Sequence, residues 1–458
     1  MKDRFQELFA AYAIAQHTLP ADTIHEVKRR IIDSLGVMCA AINDDSPTAA
    51  RMYAEQYPLQ DGATIFGSTV RANPETAGFA NGVAVRYLDF NDTYLSLEPL
   101  HPSDCIMPLL ALAEWKNASA AGLIQAIAIS YELSMNLCDA ASLRTYGWDH
   151  VNYIGLGVAA GASRILGLNA AQTAHAISIA LVPHAAMRQT RAGELSMWKG
   201  AAAANSARNG LFAALVASRG FTGPFEPFVG QMGFIKHELG GHAFDDKALE
   251  RITRNEPPHR ICDSYIKAYP VEYHAQSAVD AACELYQEIR DWRLIEQIEI
   301  ETFKAAYEII AGDPEKWKPT TRETADHSLQ YIIAAGLVDG QVVRETFSPE
   351  QLRDERIHQL LSQTKLIESA RLTAIYPESI PNKLTVKTKD GAIHTREARY
   401  PLGHAGNKMT DAQVVAKFRT NSARVWNDTE AEHLLDVVWK LENVASLREL
   451  TNRLPKKA

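Results

Sequence analysis

Residues 86–104 read RYLDFNDTYLSLEPLHPSD, with four carboxylates, two prolines and a histidine directly after the apolar run AGFANGVAV. A carboxylate beside an imidazole fixes its tautomer and raises its basicity, which suits general acid and base catalysis. Asp89, Asp92, Thr93 and His101 would stand at a helix end and in the loop that follows it. The stretch is therefore either one wall of an active site or a solvated loop whose acids act as caps.

Other segments raise the same choice. In MWKGAAAANSARNG (197–210), Lys199 opens a long Ala-rich segment. A lysine at a helix N-terminus adds to free N–H groups and a positive dipole end, which makes an anion site; the alternative is a solvated lysine beside a tryptophan. In KAYPVEYHAQSAVDAA (267–282), Lys267, Glu272 and His274 surround a proline. His150, in YGWDHVNYIG, precedes an apolar glycine-rich run and either faces a cavity or serves as a structural hydrogen-bonder. The segment HELGGH (237–242) is one residue longer than the zinc motif H-E-x-x-H. On a helix its histidines would point about 140° apart, too far to share a metal. Phosphate loops of the G-x-x-x-x-G-K type and the dinucleotide pattern are both absent, so neither ATP nor NAD has support.

The chain of 458 residues is long enough for two domains. Its formal net charge of −8 argues against a general nucleic-acid binder, and any anionic substrate must be held by local cations. Five scattered cysteines without a C-x-x-C pair predict reduced, buried thiols, not a disulfide framework, zinc ribbon or iron–sulfur site. The opening MKDRFQELFAAYAIA reads as an amphipathic helix and not as a secretory signal, and no run has the length of a membrane span. A cytoplasmic protein is the expectation.

Helical periodicity must position these residues in the first half of the chain. Ile24, Val27, Ile31, Leu35 and Met38 mark a helix after Pro20, with Asp22 or Thr23 as its cap. Segments 121–133, 154–168 and 201–220 are apolar almost all round and rich in small residues, as central helices are. After about residue 265, LIEQIEIETF (294–303) alternates like a strand. Two β-type runs flank Asp390-Gly391, a hairpin signal, while 325–340 reads as helical. The expected fold is mainly α: a large all-helical domain from both chain ends (1–265 and 405–458), with a smaller α+β lid domain (266–404) inserted.

Taken in order, RYLDFNDTY…HPSD, RAGELSMWKGAAAANSARNGLFAA, KAYPVEYHAQSAVDAA and DPEKWKPTTRETADHSLQYIIAAGLVDG resemble the MmgE/PrpD family. The DPEKW…TADHSLQY and WKG spellings look closest to its bacterial 2-methylcitrate dehydratase branch. The resemblance spans nearly the whole chain. It implies a homodimer with a cofactor-free, metal-free site between a helical domain and a lid. The activity it implies is dehydration of 2-methylcitrate to 2-methylaconitate in propionate catabolism, or of citrate to cis-aconitate. Carried over residue by residue, the family's catalytic positions fall on Asp89, His101, His150 and Tyr331. Its substrate-binding positions fall on Thr93, Lys199 and Lys267, and His274, two residues after Glu272, is a further substrate-binding candidate. Glu272 stands where decarboxylase relatives have a histidine, which favours dehydration over decarboxylation. Decarboxylation of cis-aconitate or epimerisation of a related acid are the rival reactions, and a non-catalytic helical scaffold is the rival of another class. No motif distinguishes citrate from 2-methylcitrate.

Overall fold

The computed structural model describes residues 3–456; residues 1–2 and 457–458, which the expected helical domain includes, lie outside the described residues. Helices dominate, and the described β structure is two short strand pairs and one four-stranded sheet, so the mainly-α class is observed. The periodic run from Ile24 to Met38 lies in the helix Ala21–Ala41. Its start departs from expectation. Pro20 occupies the N-cap position without a side-chain bond, and Asp22 sits inside the first turn, accepting from Thr23 N at 2.8 Å. Proline's fixed φ suits a helix entry, so the chain turns into the helix earlier than a capping side chain would require.

Three small-residue helices, Pro74–Arg86, Val151–Leu166 and Trp198–Ala217, pack together at the centre. A Cβ on Gly210 would lie 2.3 Å from the carbonyl oxygen of Gly155, and one on Gly82 would lie 3.0 Å from Ala204 Cβ. Glycine and alanine thus allow a backbone approach that larger residues would block. This packing brings together the C-terminal end of the first helix and the N-terminal ends of the other two. Those ends carry Arg86, His150 and Lys199.

The four-stranded sheet has the order Thr364–Glu368, Ile295–Thr302, Asn382–Thr388, Ile393–Ala398; its first pair is parallel and the others antiparallel. The Asp390-Gly391 hairpin forms, with Gly391 at φ +89° and Asp390 Oδ1 accepting from Ala392 N at 3.2 Å. Ile298 pairs with Val386 and Ile300 with Leu384, so alternate apolar residues face one core against the helix Gln276–Ile289. The helical reading of 325–340 is corrected in one place. Arg322–Ala325 and Leu329–Asp339 are separate helices, and Asp326, His327 and Ser328 form the turn between them.

Hydrophobic packing falls into two main cores. The first draws on residues 5–266 and 409–454, and the second on Leu95 and residues 265–386. On this basis we propose domain limits near residues 265 and 404, with the α+β part as the lid. Among the described residues, no helix is long and apolar enough to cross a membrane.

Candidate active site

Asp89 sits in the turn after Pro74–Arg86 with φ +51°, a left-handed conformation that aspartate tolerates better than most residues. Its carboxylate is 1% exposed. Arg86 Nη1 donates to Oδ1, and Lys267 Nζ donates to Oδ1 at 3.0 Å and to the Asp89 carbonyl at 2.8 Å. Three further groups approach it: His101 Nε2 at 3.6 Å, His327 Nε2 at 3.7 Å and Lys199 Nζ at 3.8 Å. Burial alone would push this carboxyl up. Arg86, Lys267 and Lys199 override it and hold the group well below the usual carboxylate range, so Asp89 is a fixed negative charge.

His101 Nδ1 lies 2.8 Å from the Asp92 carbonyl oxygen. A carbonyl only accepts, so Nδ1 carries the proton and Nε2 presents a lone pair. Burial, together with Arg86 and Lys267, keeps the imidazole well below its ordinary 6.5, hence neutral. His150 stands across from it, with ring centroids 6.0 Å apart. His150 Nδ1 is 3.1 Å from Asp149 Oδ1 but off the hydrogen-bonding direction, and neither ring nitrogen has a hydrogen-bond partner among the described residues. Burial and then Arg191 lower this histidine to about 3. Arg191 Nε donates to Asp149 at 3.0 Å.

Lys199, in the first turn of its helix, donates to Asp326 Oδ1 at 3.1 Å and lies 3.2 Å from His327 Nδ1. His327 Nδ1 in turn lies 2.5 Å from Asp326 Oδ1. Glu272 Oε1 meets His274 Nδ1 at 2.8 Å, and Oε2 accepts from His274 N at 2.7 Å. Burial opposes the charge on Glu272, but His274 and His327 hold it down to about 2.

These groups enclose a cavity of about 80 Å³, room for only a few waters. Arg188 and Lys316 also line it, and neither side chain makes a hydrogen bond or ion pair with another described residue. Lys316 is 4% exposed, and burial followed by the neighbouring Lys199 lowers its pKa. Two neutral imidazoles, a fixed carboxylate and two unpaired cations can move a proton next to a bound polycarboxylate.

The MmgE/PrpD N-terminal domain matches residues 8–247 and the MmgE/PrpD C-terminal domain matches residues 269–443. The chain belongs to the MmgE/PrpD family. It is 28% identical to the 2-methylcitrate dehydratase of Salmonella typhimurium, over 91% of this chain and 89% of that protein. It is 30% identical to the 2-methylcitrate dehydratase of Cupriavidus necator, over 88% and 87% of the two chains. A human cis-aconitate decarboxylase is 26% identical, over 94% and 90%. These MmgE/PrpD relatives support a lyase-type enzyme of a dehydratase family.

In this MmgE/PrpD protein, Asp89, His101, His150, Lys199 and His274 come together around the cavity. Three other expected residues stand elsewhere. Thr93 donates through Oγ1 to the Leu100 carbonyl at 3.0 Å and pairs through its backbone with Tyr265, so it shapes the loop. Tyr331 lies in the second core and donates to the Thr346 carbonyl at 2.9 Å, away from the cavity. Lys267 lies behind Asp89, its three bonds completed by the Val271 carbonyl at 3.2 Å. It steadies the carboxylate and leaves nothing to clamp a substrate. Reading the sequence by segments missed Arg86, Arg188, Arg191, Lys316, Asp326 and His327. The signal for the last two was the polar Asp-His-Ser triplet interrupting an apolar helix, since such residues favour caps and turns.

Proposed function

We propose that this protein is a hydro-lyase that dehydrates a β-hydroxy tricarboxylate, 2-methylcitrate to 2-methylaconitate with citrate to cis-aconitate as a related activity, by side-chain acid–base chemistry. The observation that carries this reading is His101, a neutral imidazole whose Nε2 lone pair faces the cavity 3.6 Å from Asp89. In the proposed step Nε2 takes the carbon-bound proton and the C=C bond forms as the C–O bond breaks. The imidazolium, stabilised by Asp89, returns the proton to the departing hydroxyl, which leaves as water. His150, with both nitrogens unpartnered, orients that hydroxyl. Arg188 and Lys316 bind substrate carboxylates and stabilise the charge that develops on them. The reading needs no cofactor, and no cysteine lines the cavity to hold an iron–sulfur cluster.

A triacid of six or seven carbons is larger than the present cavity, so substrate entry requires the lid to open and catalysis requires it to close. The reading also includes a homodimer. It is supported by the exposed Met187 and Trp198, which line one surface groove beside Arg188.

The test is absorbance of the forming alkene acid after EDTA-treated protein is mixed with 2-methylcitrate, then with citrate. A rise that survives the chelator and is absent from His101→Ala supports dehydration. Folded protein that gives no rise with either acid sinks it, and release of CO₂ from cis-aconitate would install the decarboxylase reading instead. Light scattering of the purified protein at twice 50.6 kDa supports the dimer, and the monomer mass overturns it.

A further inference from the structure

A second, larger groove of about 850 Å³ is lined by residues 318–322, which precede the turn that carries His327, and by residues within 344–353. That volume lies within the range of small-molecule sites. Five guanidinium or ammonium groups line it, against two carboxylates. Asp44 is taken by Arg344, and Glu345 accepts from Arg424 at 2.5 Å. Lys318 and Arg353 are exposed, and neither side chain makes a hydrogen bond or ion pair with a described residue. Arg322 is the fifth cation. Its guanidinium lies over the Tyr87 and Phe347 rings, at 5.2 and 5.8 Å from their centroids. Nη1 reaches the Tyr87 carbonyl at 3.3 Å and Asp326 Oδ2 at 3.4 Å, both long bonds, and Nη2 is buried without a hydrogen-bond partner among the described residues. The Nε of Arg344 is likewise buried and unpartnered.

The net charge of the protein is −8, so a surplus of cations with unfilled donors in one groove runs against the overall field. Guanidinium groups with free donors match phosphate geometry and bind it through paired, charge-assisted hydrogen bonds. Leu352, Pro319 and Pro349 add apolar wall for an organic part. Arg322 also has a second role. Through Asp326 it touches the carboxylate that holds both Lys199 and His327 in the catalytic cavity.

We propose that this groove is an effector site for a small organic molecule carrying two or more phosphate groups, and that Arg322 transmits its occupancy to His327 through Asp326. A bound phosphate draws the guanidinium outward, weakens its long bond to Asp326, and leaves that carboxylate leaning on His327 and Lys199. The effector site stands independently of which acid the enzyme dehydrates.

The experiment is calorimetric titration of the full-length protein with inorganic pyrophosphate, with tricarballylate as a carboxylate control. Pyrophosphate should bind, and the Lys318→Ala/Arg353→Ala double variant, altered only at exposed side chains, should bind about tenfold more weakly or worse. Absence of binding, or undiminished binding by the double variant, overturns the site. Loss of tricarballylate binding in the double variant, with none of pyrophosphate to begin with, overturns the phosphate assignment. Transmission is read separately, as a shift of the His327 imidazole resonance on adding pyrophosphate, assigned with His327→Gln. The shift should vanish in Arg322→Lys, which keeps the charge but loses the fork. A resonance that does not move in the wild type, or moves equally in Arg322→Lys, overturns the coupling.

Discussion

His101 Nδ1 lies 2.8 Å from the Asp92 carbonyl, so a backbone atom decides which nitrogen of the imidazole faces the cavity. That bond makes Nε2 the acceptor and places it 3.6 Å from Asp89 Oδ1. A base held this way contributes about 10²–10⁴-fold to a proton transfer. His101→Gln should therefore lower kcat by about that factor while leaving KM within about threefold. Steady-state turnover of 2-methylcitrate checks it, and a KM effect without a kcat effect would reassign His101 to binding.

Arg188 and Lys316 should behave in the opposite sense. Neither side chain makes a hydrogen bond or ion pair with another described residue, so each is free to meet a carboxylate, and a hydrogen bond to a charged group contributes about 1.5–3 kcal/mol. Lys316→Ala and Arg188→Ala should each raise KM about tenfold to a hundredfold. Lys199→Ala is expected to differ, because removing it leaves Asp326 without its ammonium partner and disturbs the turn as well as the site. Substrate saturation curves for the three variants separate these roles.

The folded state holds His150 near 3, against 6.5 in an unfolded chain. Between those values the unfolded chain carries the extra proton, so the stability this histidine contributes is complete above about 6.5 and falls as pH drops toward 3. Glu272, held at about 2 against 4.5, adds a second loss that begins lower, from about 4.5 downward. Urea unfolding at stepped pH should show a decline starting on the acid side of neutrality. His150→Asn should flatten its upper part, and Glu272→Gln only its lowest part. Identical curves for wild type and His150→Asn between about pH 6.5 and 4 would contradict the burial of that neutral ring.

Tyr331 marks the limit of carrying a role from motif to residue. Its hydroxyl donates to the Thr346 carbonyl inside the second core, so Tyr331→Phe should leave kcat and KM unchanged. It should cost about 0.5–1.5 kcal/mol of stability for the lost hydrogen bond. Denaturant unfolding and turnover measured on one preparation check both halves. A fall in kcat without a change in stability would return the tyrosine to the site.

The same segment shows what the sequence could and could not reveal. Apolar periodicity is a local signal, and it located Ala21–Ala41, Val151–Leu166 and Trp198–Ala217, just as Asp390-Gly391 located the hairpin. The turn at Asp326, His327 and Ser328 depends on a distant partner, because Ser328 Oγ both caps the next helix and donates to the Lys316 carbonyl. No pattern of three to four residues encodes a bond across twelve. Lys267 was legible as a boundary lysine, but its burial behind Asp89 follows from how two distant segments meet. Acid and base types could be read from the sequence; which cations stay unpaired could be counted only in the fold.

Gly210 tests whether the helix crossing positions the chemistry. It touches no cavity group, yet a Cβ there would lie 2.3 Å from the Gly155 carbonyl oxygen, a distance that real side chains do not tolerate. Gly210→Ala must therefore push Trp198–Ala217 away from Val151–Leu166, at a cost of about 1–3 kcal/mol for overpacking. The intrinsic preference of alanine for helix offsets at most about 1 kcal/mol of this. Because Lys199 and His150 stand at the ends of these two helices, the shift reaches the site. The variant should lose both stability and kcat although the mutation lies more than two turns from Lys199. Thermal unfolding with parallel turnover measurements decides it. Full activity in a destabilised but folded variant would mean that the loops, and not the crossing, hold the two residues in place.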